Sequence, residues 1–415
     1  MEIYKPYRKC PVCNNEKAKF IHKVQFVLFD NHPMTGGYNV VQCEKCLFIY
    51  ADTDVTQQEL DIYYKELSKY EDKNIGTGGG YSKNDKDRLV KTAEFISSYL
   101  PDKNARIIDL GCANGGLLKE LKDIGFKNLT GLDPSSTCVE ITKSEVGCQA
   151  YQMSLFNIDE SLGKFDLVIL SHVLEHLHDL SSTTKKLNNL LKEGSLLYVE
   201  CPNALNYNKV IHAPLQEFNT EHINHFTEVS FENLFGLHGY QKICTGDKIM
   251  KIASDQDYHA VYGMFKKTAG ISNYALKPDK EINDSISDYI YRSKKTFDAI
   301  LDRFSGLDPS EPIALYGIGQ FAFKLLRRLG LKNYNQIKLF DNNPLNIGKK
   351  IQGVEILPGK TIISEYEKAP FTIVITSLIY ENGIRKQIEE EFRNNSLNSP
   401  SIIGFQNCLT VEYVF

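Results

Sequence analysis

Apolar and polar positions along the chain change rhythm several times, and each change marks a different kind of element. Residues 23–29 (KVQFVLF), 38–43 (YNVVQC) and 47–52 (LFIYAD) are short runs rich in β-branched and aromatic residues, which predicts strands. From Thr56 the spacing becomes helical through QQELDIYYKELSKYE, residues 57–71. A glycine-rich segment follows, with Gly76 and Gly78 to Gly80, reading equally as a mobile lid or a linker. RLVKTAEFISSYL (88–100) then has the apolar face of an amphipathic helix.

From Ala105 strand-like and helix-like segments alternate. RIIDL, the helix LLKELKDIG, NLTGLD, a helix around Cys138, a short apolar stretch near Tyr151 and FDLVILS come first. The helix TTKKLNNLLKEG, with a turn at Gly194, and the strand SLLYVECPN complete the block. Alternation of this kind predicts a parallel sheet covered by helices on both faces. Residues 266–305 read as a helical connector, and SDYIYRSKKTFDAILDRF carries its periodic apolar face. A second alternating block opens at EPIALYGIGQFAF (311–323) and runs to the end.

Four of the ten cysteines fall in pairs. Cys10, Cys13, Cys43 and Cys46 form two C-x2-C knuckles separated by 29 residues, a spacing that lets four thiolates surround one Zn2+ tetrahedrally. Four protein ligands leave no open coordination position, so the expected role of the metal is structural. It would replace the core that about fifty residues cannot build. The other six cysteines (Cys112, Cys138, Cys148, Cys201, Cys244, Cys408) are scattered singly and read as reduced thiols.

The strand RIIDL runs into a turn of small residues that carries Asp109, Gly111, Ala113 and Gly115. Such a turn lets a ligand approach the backbone at the carboxyl edge of a parallel sheet. The next strand ends in Asp133, 18 residues beyond Gly115, where a carboxylate accepts hydrogen bonds from the ribose hydroxyls of an adenosine.

Composition narrows the reading further. A chain of 415 residues exceeds one ordinary core and predicts two or three domains. With 42% apolar and 24% charged residues, wholesale disorder is excluded. Lys plus Arg number 48 against 52 Asp plus Glu, a net charge of −4, so no global basic field draws the chain to nucleic acid or anionic lipid. Residues 1–50 hold seven Lys/Arg and four Asp/Glu, too mild an excess to make the cysteine module an RNA-binding ribbon. There is no apolar leader in MEIYKPYRKCPVC and no run of the ~18 apolar residues a membrane span needs, so the expected setting is cytoplasmic.

The order D-L-G-C-A-N-G-G resembles the class I S-adenosylmethionine (SAM) methyltransferases, in which the first strand ends in an acidic residue followed by G-x-G-x-G. Ala113 stands where that family has its middle glycine. FDLVILSHVLEHLHDL resembles the family's fourth strand and following loop, and LLKEGSLLYVECPNA its helix, turn and fifth strand; the resemblance covers about residues 85–265. It implies a Rossmann-like domain binding SAM through Asp109, Gly111, Ala113, Gly115, Asp133 and His172. A tight nucleotide-binding turn is less apt for phosphate here, because G-x-G-x-x-G is not present.

The wider arrangement, a four-Cys module, a SAM domain and a C-terminal Rossmann-like domain, resembles the sugar C-methyltransferases of deoxysugar biosynthesis. Those enzymes methylate a carbon alpha to the ketone of a nucleotide-linked sugar. The resemblance implies that His222 acts as base with Glu221 beside it, that His176 is a nearby donor, and that Tyr70, or alternatively Tyr64, is the tyrosine after the zinc module. The family's Y-x-E-H reads Asn219-Thr220-Glu221-His222 here, without its tyrosine. EHINHFTEVSFENLF is closer to a broader set of surface-polysaccharide methyltransferases, which keeps sugar O-methylation open. Methylation of another small molecule, RNA methylation and a silent scaffold are the further alternatives. Transition-metal binding by His172, His176 and His178, or by His222 and His225, is allowed by count but lacks companion carboxylates at motif spacing.

The expected domains are therefore a zinc-binding module at 1–55, a SAM-dependent methyltransferase domain at 56–265 with an N-terminal helical cap, a connector at 266–305 and a Rossmann-like α/β domain at 306–415. In the last, Gly317, Gly319 and Asp341 would sit at a crevice edge. DNNPLNIGKKIQGVEIL resembles part of the N-terminal domain of nucleotide-sugar acetyltransferases. A clamp for the nucleotide of the substrate and a plain scaffold are both open for this domain, while redox use of NAD lacks hydride-handling residues.

Overall fold

A computed structural model describes residues 3–66, 78–158, 160–251, 256–270, 273–330 and 336–409. In chain order the first elements are β1 (Ile3–Tyr4), β2 (Ala18–Gln25), β3 (Gly37–Cys43), β4 (Ile49–Asp52), α1 (Gln57–Glu66) and α2 (Lys83–Tyr99). Next come β5 (Arg106–Leu110), α3 (Gly116–Asp123), β6 (Asn128–Asp133), α4 (Ser136–Ile141), β7 (Gln149–Gln152), β8 (Phe165–Ser171), α5 (Leu180–Leu190) and β9 (Leu191–Pro202). β10 (Asn224–His225), α6 (Glu228–Gly236), β11 (Tyr240–Lys251) and β12 (Asp257–Lys267) follow. The remainder comprises α7 (Ile282–Asp302), β13 (Ile313–Tyr316), α8 (Gln320–Leu329), β14 (Ile337–Asp341), β15 (Lys350–Ile351), β16 (Val354–Pro358), α9 (Ile362–Lys368), β17 (Thr372–Ile375), α10 (Glu381–Asn394) and β18 (Ile402–Ile403).

The chain divides into two compact units, of which the first holds Met1–His22, Asn39–Asn206 and Glu221–Asn283. Its main sheet has seven strands in the order β11-β12-β9-β8-β5-β6-β7. β5 to β9 run parallel, whereas β12 is antiparallel to both β9 and β11. The sheet reverses its strand order at β5, so the ends of β5 and β8 open a crevice at the carboxyl edge. Buried apolar strands such as Ile107, Ile108, Leu167 to Leu170 and Leu197 are what a sheet covered on both faces requires. One face packs against Leu89, Ala93 and Ile96 of α2 and Leu117, Leu118 and Leu121 of α3. The other joins Leu180 and Leu187 of α5 with Phe231, Leu234 and Phe235 of α6.

The predicted helix at 183–194 is cut short. α5 ends at Leu190 and the LKEG that follows already belongs to β9, with Gly194 at φ +83°. Helical propensity of Lys and Glu yields there to strand pairing. The first strand is likewise displaced from the apolar run, with β2 at Ala18–Gln25 rather than 23–29. The end of the predicted helix 57–71 lies outside the described residues.

The small cysteine segment does not have a core of its own. Cys10, Val12, Val41, Phe48 and Tyr50 belong to the same apolar cluster as Leu174, Phe226 and Phe231. Arg8 is almost fully buried and donates to the carbonyls of Ala51, Leu177, His178 and Ile223 and to the side chain of Asn224. One guanidinium thereby satisfies carbonyls from three separate chain segments.

The second unit comprises Lys23–Tyr38, Tyr207–Thr220 and Asp284–Phe415. Its six-stranded sheet has the order β15-β16-β14-β13-β17-β18, parallel except for β15. Gly317 follows β13 at φ +95°, and Asp341 at the end of β14 accepts from the Ile318 and Asn343 amides and from Asn346. Lys324 is buried and donates to the Leu215 carbonyl, and burial pulls its ammonium down to about 7. No helix among the described residues is long and apolar enough to cross a membrane.

Phe235 is fully buried, with its ring 4.8 Å from Phe265 and 5.7 Å from Tyr240. Phe235→Ala is expected to cost about 3–5 kcal/mol in urea unfolding, the usual penalty for emptying an aromatic core position. A loss below 1 kcal/mol would show that α6 is not part of the first unit's core.

Candidate active site and cysteine cluster

Cys10, Cys13, Cys43 and Cys46 converge, their four sulfurs lying within 4.8 Å of one another. Cys10 and Cys46 sulfurs are 3.5 Å apart, as are those of Cys13 and Cys43. A tetrahedron with metal–sulfur bonds of about 2.3 Å has edges of about 3.8 Å, so the donor set fits Zn2+. Both knuckles are turns closed by a residue at positive φ: Asn14 donates to the Cys10 carbonyl, and Leu47 to that of Cys43. The amides of Lys45 and Cys46 also point at the Cys43 sulfur.

The glycine turn sits where the carboxyl end of β5 meets α3. Gly111 and Gly115 have φ of +80° and +74°, the left-handed region that glycine enters without penalty. A Cβ on Gly111 would stand 2.6 Å from Val173 Cγ2, and one on Gly115 would stand 2.8 Å from Thr142 Oγ1. Ala113 also has positive φ, +46°, so the residue replacing the middle glycine holds strained backbone. The amide of Gly116 donates to the Gly78 carbonyl, which brings the end of the glycine-rich segment onto this turn.

Two carboxylates meet there. Asp133 accepts from the amides of Ala113 and Ser135 at 2.9 Å each, which pins the turn. Asp109 is buried, and its Oδ1 has no hydrogen-bond partner among the described residues. Burial and the neighbouring Asp133 push its carboxyl up to about 7, while Arg88 opposes the rise. A buried acid with an orphaned oxygen has the donor chemistry to hold a cationic group.

A second group occupies the ends of β8 and β9. His172, at φ +57°, lies between carboxylates: Nδ1 is 3.3 Å from Glu175 Oε1 and Nε2 is 3.1 Å from Glu200 Oε1. Glu200 also accepts from Tyr198 at 2.6 Å and from Lys248. Burial alone would lower the His172 pKa, but the two carboxylates overcome it and raise it to about 9. Burial likewise opposes ionisation of Glu175, yet His172, with help from His176, brings its pKa down to about 2. Both ring nitrogens of His172 thus face carboxylates rather than the glycine turn.

His176 lies on the far side of Glu175, with Nε2 3.9 Å from Oε1, and its Nδ1 is 3.0 Å from the Glu221 carbonyl. A carbonyl only accepts, so Nδ1 carries the hydrogen and Nε2 of the neutral ring is the proton-accepting atom. Burial, assisted by His222, lowers the His176 pKa against the pull of Glu175. The His222 ring is 5.0 Å from His176, and the Tyr64 ring is 5.6 Å from it on another side. Glu221 accepts from the Tyr63 hydroxyl at 2.7 Å. Glu175, His176 and His222 bring ligand-capable atoms within 4.8 Å of one another.

Of the residues named from sequence, Glu221, His222 and His176 are therefore together, while Tyr70 lies outside the described residues. His225 is fully buried in β10, and burial with the nearby His222 and Arg8 lowers its pKa to about 3. Tyr63, Glu200, Lys248 and Tyr198 were not singled out. A lone glutamate inside the apolar strand SLLYVECPN is the signal that could have found Glu200, because a carboxylate is almost never fully buried without partners.

Residues 81–245 match a family model described as a methyltransferase domain. Over 122 residues the chain is 25% identical to a ubiquinone biosynthesis O-methyltransferase of Pelagibacter ubique, covering 28% of this chain and 50% of that protein. An enzyme of the same description from Colwellia psychrerythraea is 30% identical over 121 residues, covering 28% of this chain and 49% of that protein. The chain thus spans about half the length of these curated relatives. A solved structure of magnesium protoporphyrin IX methyltransferase from Synechocystis, with bound SAH, is 17% identical and aligns at a TM-score of 0.36 over 45% of this chain and 84% of that one. The family match falls on β5 to β9 and the glycine turn, so residues 81–245 are similar to a methyltransferase domain.

Proposed function

We propose that this protein transfers the methyl group of SAM to a sugar, most aptly a nucleotide-linked keto-sugar, with the paired histidines as its acid–base centre. The observation that carries the reading is the His176–His222 pair beside Glu175, at the same sheet edge as the Gly111–Gly115 turn. Val173, three residues before His176, packs against Gly111 and ties the two together. The combination of four clustered cysteines, a methyltransferase sheet and a second parallel sheet supports a sugar acceptor through its resemblance to the sugar C-methyltransferases. The relatives described above are O-methyltransferases, which favours oxygen as the methylated atom, so O-methylation of a sugar or another small molecule is the second reading.

SAM, when bound, supplies an electrophilic methyl group on a sulfonium. Asp109 would hold its amino-acid end and Asp133 the ribose, with the backbone of Gly111, Ala113 and Gly115 left open for close approach. His222 would take the acceptor's proton, from carbon alpha to a ketone or from a hydroxyl, and His176 would share that proton through its Nε2. Glu221, held by Tyr63, would orient the carbonyl that fixes the His176 ring. The four cysteines would hold Zn2+ as a structural brace for the segment that carries Arg8.

Three outcomes test this. Incubation with SAM and a panel of nucleotide sugars should give a product heavier by one methylene, and His222→Ala should lower single-turnover rates by about 100-fold or more with SAM affinity unchanged. Equal rates in the variant would remove His222 from the chemistry. Binding of cationic SAM should pull the Asp109 carboxyl below its value of about 7. Calorimetry near pH 7 in buffers of different ionisation enthalpy should then show proton release that disappears in Asp109→Asn, and affinity should fall as pH drops below 7. Release that persists in the variant would exclude Asp109. Purified protein should contain one zinc per chain, lost in Cys46→Ser with a fall in melting temperature. A fully folded, zinc-free wild type would contradict the cysteine assignment.

A further inference from the structure

Two buried carboxylates and two part-buried basic side chains stand behind the histidine pair, and the reaction as described does not use them. Glu200 is wholly buried in β9, and Glu175 has 1% of its surface exposed. They are joined by His172, whose two nitrogens reach one carboxylate each, and Lys248 of β11 closes the far end on Glu200. The order in space is Lys248, Glu200, His172, Glu175, His176, His222. Its charges alternate, so the two anions are matched by an ammonium and an imidazolium. Breaking such a buried set at one member leaves an uncompensated charge, which is costly.

The elements around the set explain why the arrangement holds. Around Glu200 stand Tyr198, which donates to it, and Lys248, whose ammonium also donates to Thr92 of α2 at 3.0 Å. The Tyr258 ring lies 6.4 Å from that of His172. Cys201 of β9 faces Glu175. His176 is faced by Glu175, by His222 and the Glu221 carbonyl, and by Tyr64 of α1. The positive φ of His172 places its ring between the two strand ends, a strained backbone retained at a sheet edge.

We propose that His172, clamped by Glu200, is a positioning residue that keeps Glu175 ionised and turned toward His176, so that the histidine pair can accept the acceptor's proton. The inference rests on the proposed acid–base role of His176 and His222. During turnover the acceptor's C–H or O–H bond would break and its proton move onto the histidine pair, while the electron pair left on the acceptor would bond the methyl carbon and the methyl–sulfur bond would break with its pair kept by sulfur, so that S-adenosylhomocysteine leaves. Glu175 stabilises the imidazolium that results without itself taking the proton. His172 and Glu200 move no proton. They fix the carboxylate, as an imidazolium held on both sides can do and a neutral ring cannot.

Glu175→Gln removes the charge beside His176. The histidine pair then becomes less basic, the acid limb of the kcat profile moves down by about one pH unit, and kcat falls while the KM for SAM holds. Glu200→Gln lets His172 lose its proton near neutrality, and the buried Glu175 then protonates instead, so this variant reproduces the Glu175→Gln profile. The two substitutions should be non-additive, because they act on one carboxylate. In the wild type, imidazole NMR should find His172 charged up to about pH 9. That measurement needs no variant to fold. Additive losses, an unmoved profile in Glu200→Gln, or a neutral His172 at pH 7 would overturn the proposal. If His176→Ala abolishes turnover while Glu200→Gln leaves the profile intact, only the positioning role fails. If His176→Ala also retains full activity, the acid–base reading itself fails.

Discussion

Burying carboxylates at the open edge of a parallel sheet is the constraint on which the first unit depends. Four of them, Asp109, Asp133, Glu175 and Glu200, lie within or beside the crevice, and all are largely removed from water. An isolated buried carboxylate either finds a cation or takes up a proton. Glu175 and Glu200 are matched internally by His172 and Lys248. Asp133 is spent partly on backbone amides. Asp109 Oδ1 and Glu175 Oε2 both lack a hydrogen-bond partner among the described residues, but Glu175 has His172 on its other oxygen, whereas burial and Asp133 push the Asp109 carboxyl up. The proposed cofactor side of the crevice therefore carries the carboxylate raised by burial, and the proposed proton-transfer side the one matched by an imidazole.

Charge on both sides is held in place by backbone that departs from the ordinary. Ala113 and His172 are non-glycine residues at positive φ, one on each lip of the crevice. Strain of about 1–3 kcal/mol at each such position persists only where the surrounding structure over-determines it. Asp133 does this for Ala113 by capturing its amide, and the Glu200 carbonyl does it for His172 by accepting its amide at 2.8 Å. Further from the crevice, Arg8 fastens the cysteine segment to the loop after β8 and to β10, the neighbourhood of His176 and His222. A metal at the cysteines would thus brace the segment whose arginine orders the carbonyls next to the histidine pair.

Local features were legible in the sequence and long-range ones were not. The glycine turn, Asp109 and Asp133 could be read because strand, turn and helix are consecutive in the chain. The two C-x2-C knuckles could be read because metal ligation needs a fixed spacing. Glu221 and His222 were found beside His176 from a short motif. Glu200 and Lys248 escaped because they meet only through pairing of β9 with β12 and of β12 with β11, an order that no local pattern encodes. The carboxylate partners of His172 were hidden for the same reason, since one of them is 28 positions away. The LKEG segment was misread as helix because its residues favour helices intrinsically, whereas parallel pairing of Phe165 with Leu191 places them in a strand.

The most direct test of the account is a crystal structure of the protein with S-adenosylhomocysteine and a nucleotide-linked sugar. The account predicts the cofactor's amino group within hydrogen-bond reach of Asp109, its ribose at Asp133, and the sugar's reacting atom about 3–3.5 Å from the sulfur's open side with its proton directed at His222 or His176. A cofactor seated away from the Gly111–Gly115 turn, or a sugar bound with neither histidine facing its reacting atom, would contradict it.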